Sequence, residues 1–237
     1  MLRVTGKPAE ALGASASSET AMQSLAADAG LAPAVVFADP ACGFVVSRHE
    51  PGRAPQARDM RDGRLLRRIG AWIARLHALD APAGLPIVDI GERAAGYLAR
   101  VAAARDDAFN VRLHDELGRR RAALAPPARL APCHHDLHRR NFLDDGRRLL
   151  AVDWEYGGPG DPAADLASCL GYHALDAAAS EALLDGYGRK DAVFRARVAA
   201  LGWIFDCLWY GWNAVAAQEG MAPDLDEQSR LAARLAH

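Results

Sequence analysis

Lysine is almost missing from this chain of 237 residues. Of its 28 cationic side chains only Lys7 and Lys190 are lysines, so chemistry that needs a lysine on a phosphate has two candidates. Cysteine is also sparse: Cys42, Cys133, Cys169 and Cys207 stand far apart with no C-x-x-C pair. That spacing argues against a zinc ribbon and a disulfide scaffold and suggests a reduced, cytoplasmic protein. No apolar run approaches the ~20 residues of a membrane span, and the opening MLRVTGKPAE has no signal-peptide core. A net charge of −2 favours neither nucleic acid nor an anionic membrane as partner. The remaining composition, 51% apolar and 24% charged, is ordinary for a globular protein. The length suits a single two-lobed unit.

Two regions are expected, 1–50 and 51–237. In the first, Leu2–Val4 is strand-like, and Ser17 or Ser18 caps a helix from about Glu19 to Ala29 that closes at Gly30. Val35–Ala38 and Phe44–Ser47 read as strands joined by an Asp39-Pro40 turn, and Glu50-Pro51-Gly52 breaks the pattern like a hinge. Beyond it the chain turns helical. Leu65, Ile69, Trp72, Ile73, Leu76 and Leu79 recur on one helical face. Further helices are expected over Ile90–Ala104, Val111–Leu124, 163–188 and 191–219, with a last one near 225–236. Between them a strand-turn-strand lies around Phe142–Val152, followed by a loop rich in Gly and Pro.

The stretch HHDLHRRNFLDDGRRLLAVDWEYGGPGDPAADLAS carries the chemistry. His134, Asp136 and Asn141 form the pattern H-x-D-x-x-x-x-N, and Asp153 follows at the end of the apolar run LLAV. Transfer of a phosphoryl group from a nucleotide needs these groups. One carboxylate, Asp136, accepts the proton of the acceptor hydroxyl. An amide oxygen, Asn141, and a second carboxylate, Asp153, suit the hard Mg²⁺ ion on the phosphates. The same arrangement makes up the catalytic and metal-binding loops of protein kinases. The imidazoles His134, His135 and His138 raise a zinc hydrolase as a rival, but H-H-D-x-H lacks the paired histidines of H-E-x-x-H helices. His134 instead reads as a buried catalytic-loop residue bonded to the backbone. Asp165 reads as an acceptor for loop amides or a helix cap, and Glu155 as a ligand of metal or acceptor or a solvent-exposed side chain.

HHDLHRRNFL followed by AVDWEYGGPGDPAADLA resembles the aminoglycoside phosphotransferase and choline kinase superfamily, most closely its choline and thiamine kinase-like members. Upstream, LRVTGKPAEAL, Glu19 and GLAPAVVFADPACGFVVSRHEPG are similar to the strand, helix and hinge of that family. The resemblance implies an α+β, protein-kinase-like two-lobed fold. Its N-terminal sheet lobe (1–50) would be truncated, and its C-terminal lobe (51–237) mainly helical, with ATP and Mg between them. It implies Arg3 on the nucleotide phosphates, with Lys7 as alternative, Glu19 as the ion-pair partner, and Ser47, Arg48 and His49 as the hinge beside adenine. The family's Gly-rich phosphate loop has no counterpart before Leu2. Weaker ATP binding is expected from this, with an exposed strand edge at Leu2–Val4 through which a homodimer could form.

Trp209 and Trp212 share a helical face and resemble the W-x-x-W helix of choline kinases, whose aromatic box holds a quaternary ammonium. Tyr156, Tyr172 and Glu155 would complete such a box; core packing is the competing reading for both tryptophans. The expected partner is a small cationic alcohol, with choline or a related amino alcohol first, thiamine second and an aminoglycoside third. A catalytically weak kinase-like binding protein is the rival from another class.

Overall fold

The computed structural model describes residues 2–4, 12–104, 108–189, 191–222 and 224–236. The first part is a three-stranded antiparallel sheet carrying one helix. Strands β1 (Leu2–Val4), β2 (Val35–Asp39) and β3 (Phe44–Ser47) lie in the order β1-β3-β2, with Phe44 opposite both Val4 and Asp39. Leu2 and Val4 are exposed on the edge strand. Helix α1 (Ala16–Asp28) packs on β2 and β3 and buries Met22 and Ala26. Its cap is Ser15, whose hydroxyl accepts the Ser18 amide, rather than Ser17 or Ser18 as expected. Ser18 is buried within the helix, which begins earlier because the Ser15 amide is anchored on the Glu155 carbonyl.

The second part is helical. Helix α2 (Gly63–His77) buries the predicted stripe around Ile69, Trp72 and Ile73. Helix α3 (Ile90–Ala104) precedes α4 (Ala108–Ala123). Strand β4 (Ala131–Cys133) follows, then the hairpin of β5 (Phe142–Asp144) and β6 (Leu149–Ala151), then β7 (Gly158–Gly160). The expected helical region 163–188 divides into α5 (Pro162–His173) and α6 (Ala177–Tyr187), because Ala174 turns left-handed at φ 43° and Asp176 caps the next helix. The long α7 (Ala192–Gln218) packs on α3 and α5, and α8 (Leu225–Leu235) packs on α7.

The pairing of β4 with β7 appears where a Gly/Pro-rich loop was expected. Ala131-Pro132-Cys133 lies antiparallel to Gly158-Pro159-Gly160, and all six residues are buried. Proline and glycine are poor strand formers, so burial rather than propensity makes this ladder. Its glycines are needed for close approach: a Cβ on Gly160 would stand 2.5 Å from the His135 ring.

Helices α2 and α6 touch backbone to backbone. A Cβ on Gly70 would lie 2.1 Å from the Leu183 carbonyl oxygen, and one on Gly186 would lie 2.1 Å from that of Arg67. Gly186→Ala should therefore lower stability by about 1–3 kcal/mol, the usual cost of overpacking. Gly202→Ala on α7 meets nothing within 4 Å and should be neutral or stabilising by up to ~1 kcal/mol. Urea unfolding of both variants measures the contrast.

Candidate active site

Asp165 lies in the first turn of α5 and is fully buried. Its carboxylate accepts the amides of His134 (2.9 Å) and His135 (2.7 Å) and the His77 Nε2–H of α2 (3.1 Å). His77 Nδ1 in turn receives the Tyr187 hydroxyl of α6 at 3.1 Å. Burial would raise the pKa of Asp165. The hydrogen bond from His77, the charges of His77 and His135 and the His134 amide outweigh it and hold the group at about 2. The loop 134–141 thus starts on a fixed anion.

His134 is enclosed as well. Its Nε2 donates to the Val152 carbonyl (3.0 Å) and its Nδ1 accepts the Asp136 amide (3.3 Å), which selects one neutral tautomer. Burial lowers its pKa, consistent with that neutral form. The ring lies 4.5 Å from that of Trp154, which packs on Trp72. His134 is therefore part of the loop's buried support, with no face toward the cavity. His135 takes a left-handed backbone, φ 64°, unusual for a residue with a Cβ.

The loop ends at Asn141, and the hairpin register brings it beside Asp153. Phe142 faces Ala151, and the Val152 amide donates to the Asn141 carbonyl at 2.8 Å, so Asp153 follows directly. Asp153 is also left-handed, φ 68°, and is partly buried. Asn141 Nδ2 donates to the Asp136 carboxylate (2.8 Å) and carbonyl (2.9 Å). These two acceptors orient the amide and turn its oxygen away from Asp136. An amide oxygen and a carboxylate at one end of a hairpin fit a hard oxygen-seeking cation such as Mg²⁺.

Asp136 stands in the wall of a cavity of about 390 Å³. Its Oδ1 accepts the Tyr172 hydroxyl at 2.6 Å. Tyr172 stacks edge-on against Trp209, with ring centroids 4.7 Å apart, and Trp212 Nε1 donates to the Tyr156 hydroxyl at 3.1 Å. Burial and the nearby Asp136 charge raise the Tyr172 pKa, so its hydroxyl remains a donor. Tyr156, Tyr172, Trp209, Trp212 and Phe205 make the aromatic side of the cavity, and Asp136, Glu155 and Asp224 its acidic groups. Trp203 lies elsewhere, under the Arg120 guanidinium.

The expected nucleotide groups are placed less completely. Glu19 is buried on α1, and Ser47 is buried with its hydroxyl accepting from Gln23 Nε2 at 2.6 Å. Arg48 and His49 are exposed. The Arg48 amide donates to the Ala34 carbonyl at 2.8 Å, so that hinge N–H is already committed and does not serve adenine. The Arg3 side chain and Lys7 lie outside the described residues. Arg93, Tyr97 and Asn213 also line the cavity and were not singled out from the sequence. Arg93 and Tyr97 stand one turn apart on α3, a spacing visible in the sequence, but nothing local says which face of that helix meets the cavity.

A family model described as the phosphotransferase enzyme family matches residues 4–201. The structure superposes on a choline/ethanolamine kinase family protein from Mesorhizobium loti with a TM-score of 0.83 and 29% identity, over 99% of this chain and 80% of that one. Protein LicA of Haemophilus influenzae is 30% identical over 99 residues, 38% of this chain and 37% of LicA. Thiamine kinase of Shigella boydii is 45% identical over 53 residues, 22% of this chain and 19% of that protein. The matched segments thus span well under half of those two relatives.

The Asp165 anchor has a pH signature. Its pKa is about 2 when folded against 3.8 ordinarily, so its stabilisation is present above pH ~4 and is lost as pH falls through ~2. The shift corresponds to roughly 2 kcal/mol. Asp165→Asn should lower stability at neutral pH by about that much or more, and the gap to the wild type should shrink between pH 4 and pH 2. Denaturant unfolding across that range reads both curves; a constant gap would remove the carboxylate's charge as its cause.

Proposed function

The chain belongs to the phosphotransferase enzyme family, and we propose that it transfers the γ-phosphoryl group of ATP to the hydroxyl of a small cationic alcohol. The observation that carries this reading is the joining of Asp136 to the aromatic wall. One carboxylate oxygen is held by Asn141 and the other meets the Tyr172 hydroxyl, which belongs to the cage itself. A hydroxyl delivered there lies within reach of a carboxylate, and a cationic nitrogen on the same molecule meets the faces of Tyr172 and Trp209.

Asp136 accepts the proton of the acceptor hydroxyl as the oxygen attacks phosphorus, a role typically worth 10²–10⁴-fold in rate. Asn141 Oδ1 and the Asp153 carboxylate would hold the cation, whose coordination leaves room for phosphate oxygens and water. Magnesium with ATP, when bound, supplies the phosphoryl group and neutralises charge on the phosphates. Asp165 and His134 keep the loop in place from beneath. The faces of Tyr156, Tyr172, Trp209 and Trp212 exclude water and attract a cation, each such contact being worth ~0.5–2 kcal/mol. Amino alcohols of the choline type suit the cage first, and thiamine, with its own quaternary nitrogen and primary hydroxyl, second. The superposition on a choline/ethanolamine kinase family protein supports the first direction and the short thiamine kinase match the second.

Magnesium-dependent ADP release with choline, ethanolamine, thiamine and kanamycin tests the reading. Turnover is expected with an amino alcohol or thiamine, whereas ATP binding without turnover of any alcohol would favour a kinase-like binding protein. Asp136→Asn should reduce kcat by about 10²–10⁴-fold with nucleotide affinity nearly unchanged. Asp153→Ala should weaken magnesium and nucleotide binding together. Turnover by Asp136→Asn at the wild-type rate would remove Asp136 as the base.

A further inference from the structure

The cavity contains a cation that a simple amino alcohol leaves unused. Arg93, in the first turn of α3, stacks its guanidinium over the Tyr156 ring at 5.2 Å and lies against Gly13, whose Cβ would sit 3.5 Å from Arg93 Nε. Among the described residues its guanidinium has no hydrogen-bonding or ion-pair partner, although Glu155 and Asp224 line the same cavity. A cation stacked on Tyr156 takes a face that the acceptor's ammonium would otherwise use. Two unit charges about 5 Å apart repel by roughly 3 kcal/mol at an effective dielectric near 20, so a purely cationic acceptor gains nothing from Arg93.

His135 also lines the cavity but does not serve as a second donor: it is only 4% exposed, both ring nitrogens are sealed from the cavity, and the ring edge at Nε2 meets Gly160. Burial first, then the charges of Arg93 and its histidine neighbours, hold its pKa near 4 against the pull of Asp165. The ring is therefore neutral and brings no charge to the cavity. The cavity, about 390 Å³, is lined by Asp136 and Asn141 as well as by Arg93 and the aromatic residues.

We propose that the natural acceptor carries an anionic group, a carboxylate or a phosphate ester, beside its ammonium and hydroxyl, and that Arg93 binds this group. The inference rests on the phosphotransferase reading and narrows its substrate class from a cation to a zwitterion. The acidic and aromatic side takes the ammonium and Arg93 takes the acid, so both sets of charges are matched. A planar guanidinium is well suited to either acid because it donates two parallel hydrogen bonds.

The test uses the full chain with magnesium and ATP and compares two pairs of acceptors by ADP release. L-serine against ethanolamine reads a carboxylate, and glycerophosphocholine against choline reads a phosphodiester. The wild type should favour the anionic member of at least one pair, and that pair identifies the acid. Arg93→Gln should raise the KM of that member by about 10- to 100-fold, the loss of a charge-assisted hydrogen bond, with kcat little changed. Arg93→Lys should recover part of the preference. Preference for choline and ethanolamine over both anionic members overturns the proposal. So does an Arg93→Gln change that raises the KM for ATP and leaves the acceptor ranking unmoved. If no alcohol is turned over, the phosphotransferase reading fails separately, and ligand-induced Tm shifts with the same four compounds decide. A shift with serine or glycerophosphocholine that Arg93→Gln abolishes supports the anion site; equal shifts within each pair refute it.

Discussion

One buried carboxylate fixes the geometry of the candidate active site. Asp165 holds the start of the loop through the His134 and His135 amides, and it joins α5 to α2 through His77. Burying a charge alone costs several kcal/mol, and that cost is offset here only because three donors converge on it. The chain continues from His77 to Tyr187, so α6 is tied to the same anion. The backbone contacts of Gly70 and Gly186 hold α2 and α6 close enough for this. Asp136 then stands where it does because the loop behind it has no freedom to move away.

The opposite side of the cavity comes from α7 and α5. Tyr172 links the two functions expected of the site: its hydroxyl touches Asp136 and its ring packs on Trp209. A change in the cage is therefore felt at the carboxylate, and the reverse. Arg93 enters from α3, which packs along α7, and with Arg140 brings positive charge to a cavity lined by acids and aromatics. Asn141, one of the metal-ligand candidates, lines the same cavity.

Much of this was legible from spacing. The stripe through Ile69, Trp72 and Ile73 reads directly as a buried helical face, and β3 occupies the residues expected of it. The pattern His134, Asp136, Asn141 and Asp153 pointed to one loop and one hairpin end, and the register of β5 and β6 places the last two side by side. Other features were not legible. The β4–β7 ladder is built from Pro and Gly, which disfavour strands, and forms because both segments are buried. Ser15 outcompetes Ser17 and Ser18 as cap because Glu155, distant in sequence, holds its amide. The committed amide of Arg48 depends on Ala34 across a strand pair, and nothing within the hinge itself signals it.

By itself the sequence determined which residues are chemically competent and the local distances among them. A loop of fixed length and a short hairpin allow few arrangements of Asp136, Asn141 and Asp153, so spacing alone carries their grouping. Only the tertiary structure decided what surrounds them. Arg93, Tyr156, Tyr172 and Trp209 come from four separate segments, and their meeting depends on how α3, α5 and α7 pack around the loop that carries Tyr156. Packing also decided that Asp165 is dry and charged, that His134 is sealed beneath the loop, and that the His135 ring is buried against Gly160. Burial and partner geometry are properties of elements remote in sequence, and local pattern does not contain them.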